Sequence, residues 1–344
     1  MKLKEIVFSA VSGLKNMPVW SNWLMALPLI GSAITLAPAY FVFTRLWATT
    51  PSIKFLKIDL STLDEPSFFA AHLNAETFFF ISQMLLAVTS VVTIILMAYV
   101  FTVYLRQMSK KSGEIVLGIL SVVVITALIF TSKGETRGFY DKIFEHVLKQ
   151  IRFLECTYCY TSHQFVDRIS SYADVINLLV VVGITLIVGG FSVALHTPKS
   201  KESILVKQLL SQRKKILLTL YSGAALLICG VIATYAFVRI PGVFLAESSV
   251  EHAYMTKVAM MITITFGIGF TLVLAGSYLP ASAILSFRAR NLAESLSQED
   301  PEFETKDWLK EQNLNTSTLQ NIIRAAAILA PFLVSLSQVI DVLS

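Results

Sequence analysis

The stretch KSKESILVKQLLSQRKK, residues 199–215, decides how the whole chain is read. It holds Lys199, Lys201, Lys207, Arg213, Lys214 and Lys215 against a single acid, Glu202. A charge-free run lies on each side of it, residues 175–198 before and 216–238 after. A helix needs about 20 apolar residues to cross the hydrocarbon of a bilayer, and both runs are long enough. Lys and Arg beside spans are retained on the cytoplasmic side, so this stretch sets the orientation of everything else.

Lys, Arg, Asp and Glu are missing from four more runs: 16–44, 77–105, 115–132 and 258–287. Of the 344 residues, 55% are hydrophobic and only 15% are charged. A typical soluble domain carries about 25% charged residues. Lipid cannot satisfy backbone polar groups, so spans are helices or closed barrels, and long unbroken runs of Leu, Ile and Val do not alternate as barrel strands do. The expected fold class is therefore all-α, a polytopic helical membrane bundle with interfacial amphipathic helices. Six transmembrane helices are expected at about 22–43, 77–104, 115–131, 175–195, 216–238 and 258–285.

Basic connections alternate with neutral ones. Arg106, Lys110 and Lys111 mark one cytoplasmic loop, and Arg213, Lys214 and Lys215 the other. Loops 45–76, 133–174 and 239–257 are close to neutral. The alternation puts both termini in the cytoplasm of an inner membrane. The chain divides into a cytoplasmic interfacial helix within 1–20, a six-helix membrane domain over 21–288 with a large outer loop at 133–174, and a cytoplasmic helical tail over 289–344. In that tail the charge-free run 325–340 holds 16 residues and Pro331, short of a full crossing. It is read as interfacial, as a re-entrant hairpin, or as packed on the bundle. Basic residues sit where topology requires them, which leaves no nucleic-acid footprint.

Small and hydroxyl-bearing residues form the most patterned faces. Gln83, Ser90 and Thr93 lie in the second run, and Thr263, Gly267 and Thr271 in the sixth. Two roles fit that pattern: close helix packing, or the lining of a polar conduit. Cys156 and Cys159 form a CxxC in the outer loop, with His146 and His163 nearby. These four have the residue types of a zinc site but match no standard finger spacing; a disulfide or a pair of idle thiols is the reading the CxxC favours, and a thiol-redox role usually needs a second cysteine pair, whereas the only other cysteine is Cys229. No other cofactor is implied, and the chain shows no P-loop, no His-Glu-x-x-His and no Gly-x-Ser-x-Gly. No ionisable residue stands in the middle of any run, which argues against proton-coupled transport.

Three functions follow as expectations. The first is a non-enzymatic, oligomeric membrane protein that forms or regulates a permeation path. The second is a sensor or scaffold that binds protein partners through loop 133–174 and the tail. The third is a redox or zinc protein centred on Cys156 and Cys159. In each case the lipid bilayer is a partner.

Overall fold

The computed structural model describes residues 22–35, 66–105, 178–196, 202–243, 245, 249–299, 304–312, 314 and 318–343. Every regular element among them is helical. In chain order they are α1 (Leu24–Thr35, entered through a 3-10 turn at Asn22–Ala26), α2 (Pro66–Leu105), α3 (Leu178–Ala194), α4 (Glu202–Val243), α5 (Val250–Glu299), α6 (Thr305–Glu311) and α7 (Thr318–Leu343). Four of these, α2, α4, α5 and α7, are long and apolar enough to cross a membrane. The expected span 115–131, the loop 133–174 and the N-terminal interfacial helix lie outside the described residues, as do Arg106, Lys110 and Lys111.

The helices overrun their apolar cores. The short helix expected before the second span is continuous with it in α2. The basic stretch, expected as a loop, is helical from Glu202 onward. Leu, Lys, Gln and Arg are all strong helix formers, so the charges there change the solvent and not the backbone. Arg239-Ile-Pro-Gly, expected to end the helix, does not: α4 passes through Pro241 to Val243. Proline at that point removes a single backbone donor, and the helix stops within one turn. Ser249 starts α5, its Oγ accepting from the His252 N–H at 3.0 Å, while His252 Nδ1 lies 3.0 Å from the Gly242 carbonyl oxygen. These two contacts close the turn between α4 and α5.

Side-chain contacts set the register. Thr89 of α2 touches Cys229 of α4, and Phe79 stacks near Phe237, so α2 and α4 are antiparallel. Ile187 and Leu226 mark the antiparallel pairing of α3 with α4, through Gly223 and Gly183. Phe270 of α5 lies over Gly230, and Leu274 over Gly223. Helix α7 runs against α5: a Cβ on Gly267 would meet Ser335 and the Pro331 carbonyl oxygen. A Cβ on Gly276 would lie 2.6 Å from the Gly31 carbonyl oxygen, so α1 and α5 cross backbone to backbone there. Glycine alone permits both approaches.

The tail takes one of the three forms expected of it, packing on the bundle. α7 is one unbroken helix through Pro331, which excludes the re-entrant hairpin, and it packs along α4 and α5. Neighbouring helices commonly tolerate such prolines in apolar surroundings.

The sidedness of the rim helices identifies their solvent. On α2, Ile81, Met84 (71% exposed), Val88 and Ile95 face out, while Ser82, Gln83, Ser90 and Thr93 are buried. On α7, Leu319, Ile322 (59% exposed), Leu329, Leu333 and Ile340 face out, while Ser335 is fully buried and Gln320 and Arg324 meet the bundle. A water-soluble helix turns its apolar stripe inward. These two also leave large apolar side chains on their outer faces, the arrangement that hydrocarbon surroundings favour.

The aromatic residues give the depth. Take Thr89, Cys229 and Phe270 as one level, from the contacts above. Tyr99, Tyr221 and Tyr278 lie eight to ten residues from it toward the basic end. Phe79 and Phe237 lie eight to ten residues toward the other end. At about 1.5 Å per residue the two tiers are roughly 27 Å apart, close to a hydrocarbon thickness. Between them α2, α4 and α5 carry no Lys, Arg, Asp or Glu. The molecule is an α-helical membrane protein.

Candidate functional site: a polar clasp at the basic end

Helix α3 ends at the basic end of the bundle. Gly190 lets it come close to α2 and α4: a Cβ there would stand 3.0 Å from Met97 Sδ and 3.3 Å from Thr219 Cγ2. Its last turn tightens, with Leu195 N–H donating to Ser192 O at 3.2 Å and His196 N–H to Val193 O at 3.0 Å. The next carbonyls have no acceptor duty left within α3, as at any helix C-terminus. Two side chains from other helices take them. Arg288 Nη1 of α5 donates to the Leu195 carbonyl oxygen. Gln212 Nε2 of α4 donates to the His196 carbonyl oxygen at 2.7 Å.

Arg288 is fully buried, the largest side chain in that condition. A cation at a helix C-terminus faces the negative end of the helix dipole, so part of its desolvation cost is offset there. Tyr104, at the end of α2, is buried within electrostatic range of Arg288. Lys215 Nζ lies 3.9 Å from the centroid of the Tyr104 ring, a cation–π contact. The clasp thus draws one group each from α2 and α5, two from α4 and two carbonyls from the end of α3. It lies five to ten residues beyond the tyrosine tier, outside the charge-free slab. Protein therefore covers Arg288, and the site does not hold a charge at mid-depth. Arginine stays protonated in proteins, so the clasp can hold, orient and attract anions but cannot exchange protons at neutral pH.

A second set of polar contacts ties α7 to the same end. Arg213 Nη2 donates to Gln320 Oε1 at 2.9 Å. Arg324 lies within electrostatic range of Tyr278.

The residues singled out in the sequence fall on two helices. Gln83, Ser90 and Thr93 are buried on α2, and Ser90 donates to Leu86 O at 2.7 Å. Thr263 is buried on α5 and donates to Ala259 O at 2.9 Å, Gly267 packs on α7, and Thr271 Oγ1 is buried with no hydrogen-bond partner among the described residues. Helix α4 packs on both α2 and α5, so the two groups flank it and do not meet in one place. Thr93 instead joins a different set, Thr185 and Ser192 of α3 and Thr219 of α4, all buried where α2, α3 and α4 adjoin. Ser82, Gln83 and Ser90 of α2 and Gln212 of α4 are buried too; these eight side chains, interspersed with Phe79, Leu86 and Met97, are the polar seam of the bundle. His146, Cys156, Cys159 and His163 lie outside the described residues, and among those described no group of metal-ligating side chains occurs.

Sequence reasoning missed the clasp. Arg288 reads as a topology marker, and its bond to Leu195 joins residues 93 apart. Comparison with protein-family models, with curated proteins and with solved structures finds no match to this chain.

Proposed function

We propose that this chain is a multi-pass inner-membrane protein that forms or regulates a permeation path, with the polar seam as the path and the clasp as its closure. The observation that carries the reading is the seam itself. Packing between spans needs only small residues, yet here hydroxyls and amides, Ser82 and Gln212 among them, are buried on α2, α3 and α4. Hydroxyls and amides of this kind line polar conduits, and cationic groups at a mouth favour anions. Ser90, Thr185 and Thr219 donate to carbonyls of their own helices, which leaves their oxygens able to accept.

The topology extends the reading. With the basic end inward, α4 and α7 run outward, and α2, α3 and α5 run inward. The chain leaves α2 at the basic end and enters α3 at the other, and the charge-free run 115–131 supplies the return crossing. α7, read from the sequence as a cytoplasmic tail, would then be a further span with Leu343 near the exterior.

Reconstituted protein tests the function. Vesicles containing it are expected to release a small anion faster than empty vesicles. Thr93→Leu with Thr219→Leu, which fills the seam, is expected to slow that release. Flux equal to that of empty vesicles, in both wild type and an Arg288→Gln variant, sinks the proposal. A tag after Ser344 that only interior protease can cut would refute the outward course of α7.

A further inference from the structure

Pro280 stands inside α5 and lacks the N–H that would bond the carbonyl four residues back. That carbonyl belongs to Gly276, and the proline ring also crowds it. Gly276 is the residue on which α1 crosses α5. Its carbonyl oxygen occupies the place a Gly31 side chain would take, and Pro280 Cγ lies 3.3 Å from the same point. From the other side, a Cβ added to Gly276 would meet Gly31 O at 2.6 Å and Thr35 Oγ1 at 2.7 Å. The proline that weakens α5 and the glycine that α1 presents thus meet at one spot. With no side chain between them, the Gly31 Cα–H faces the released oxygen, a weak donor in place of the lost N–H.

The position of this crossing gives it leverage. Gly276 and Pro280 flank Tyr278 of the tyrosine tier, so the weak point of α5 falls at the edge of the slab. On the slab side α5 is closely seated: Gly267 against α7, Phe270 over Gly230 and Leu274 over Gly223. On the other side, eight residues past Pro280, Arg288 donates to the Leu195 carbonyl oxygen of α3. A helix that lacks one internal bond bends there more readily than elsewhere. Leu24 and Met25 bury the start of α1 in the core, which holds α1 against the bend.

We propose that α5 hinges at Gly276–Pro280, with α1 as the latch. While Gly31 seats the Gly276 carbonyl, the clasp is closed. When α1 lifts, the inner half of α5 swings and withdraws Arg288 from the end of α3. The hinge rests on the geometry of the clasp and not on the permeation reading, because its test reads clasp opening and no flux.

Hydrogen exchange of the full-length protein in detergent, followed by mass spectrometry, reads the clasp in the peptide that covers residues 191–196. An open clasp leaves the end of α3 to fray, so its amides exchange faster. Gly31→Ala puts a methyl group on the Gly276 carbonyl oxygen and is expected to speed exchange there at least about fivefold. Gly267→Ala also overpacks α5, but against α7 on the far side of the hinge, and is expected to change exchange there less than about twofold. Equal acceleration by both would show general loosening and overturn the hinge. So would the absence of acceleration in Gly31→Ala. Pro280→Ala returns the missing N–H to the Gly276 carbonyl and stiffens α5. Against that background Gly31→Ala is expected to change exchange less than about twofold, since a stiff helix does not transmit the displacement. Full acceleration in the double variant overturns the hinge. Should Gly31→Ala fail to fold, Thr35→Val keeps the side-chain shape and replaces the oxygen that faces Gly276 with a methyl group. That variant is expected to speed exchange in the same peptide about twofold, and unchanged exchange overturns the proposal.

Discussion

Helices α4 and α7 contain similar residues and occupy opposite situations. In the most apolar stretch of α4, 61% of positions are buried inside the protein; in that of α7, 11% are. Both are greasy, so hydrophobicity does not say which of them is central. In water, exposed positions become polar and buried ones apolar. Here the rim helix keeps Leu and Ile on its free side and turns Gln320, Arg324 and Ser335 toward its neighbours. The hub has less need of such sidedness because most of it is covered. The difference teaches that polarity in this molecule reports contact with protein, and apolarity reports either protein or lipid.

The sharpest way to break that comparison is a charge on the free side of the rim. Leu329 is exposed on α7 and falls near the middle of the charge-free run. Leu329→Arg is expected to cost about 2.5–3.5 kcal/mol of insertion free energy if that face meets hydrocarbon. The measurement is the fraction of α7 inserted, read by protection of a C-terminal tag in membranes. A fully inserted variant would mean that this face is wet or covered by protein. The same change inside α4 would teach nothing, because an unpaired charge is ruinous in either kind of interior.

The clasp gives the next effect. Arg288→Leu leaves the Leu195 carbonyl buried without its charged donor, and a hydrogen bond to a charged group contributes about 1.5–3 kcal/mol. Loss of that order is expected in a denaturant titration of the purified protein. Arg213→Gln, which breaks a bond at the exposed edge of α7, is expected to cost less than about 1 kcal/mol. Equal costs would mean that the clasp is no more central than the rim contact.

These contrasts also show what can be read from one chain. Charge-free runs located α2, α4 and α5 because removing ionisable groups from a span is a local, compositional act. Helix ends were not legible, since Lys, Gln and Arg continue a helix into water as readily as Leu continues it in lipid. The extent of α7 was hidden for a related reason: Arg324 borders the 16-residue charge-free run, yet the helix continues through it back to Thr318. The clasp was invisible because its parts, Tyr104, His196, Gln212 and Arg288, come together only when four helices are assembled. Gly267 was the opposite case: its spacing pointed to close packing, and Ser335 sits against it.

That glycine supports the finest test, with its own control two residues away. A Cβ at Gly267 would meet Ser335 Cβ at 2.6 Å and the Pro331 carbonyl oxygen at 3.0 Å. Gly267→Ala therefore has to push α7 outward, and overpacking of this kind costs about 1–3 kcal/mol. Gly269 has nothing within 4 Å of the same added atom. There alanine only restricts the unfolded backbone and favours the helix, an expected gain of at most about 0.5–1 kcal/mol. Both variants can be followed by thermal unfolding in one detergent, with a crosslink from α7 to α5 to report the spacing. A loss at 267 beside a small gain at 269 places the rim helix by backbone contact. Matching small gains at both positions would mean that α7 is held only by its polar bonds at the basic end, and hub and rim would then be joined at a single point.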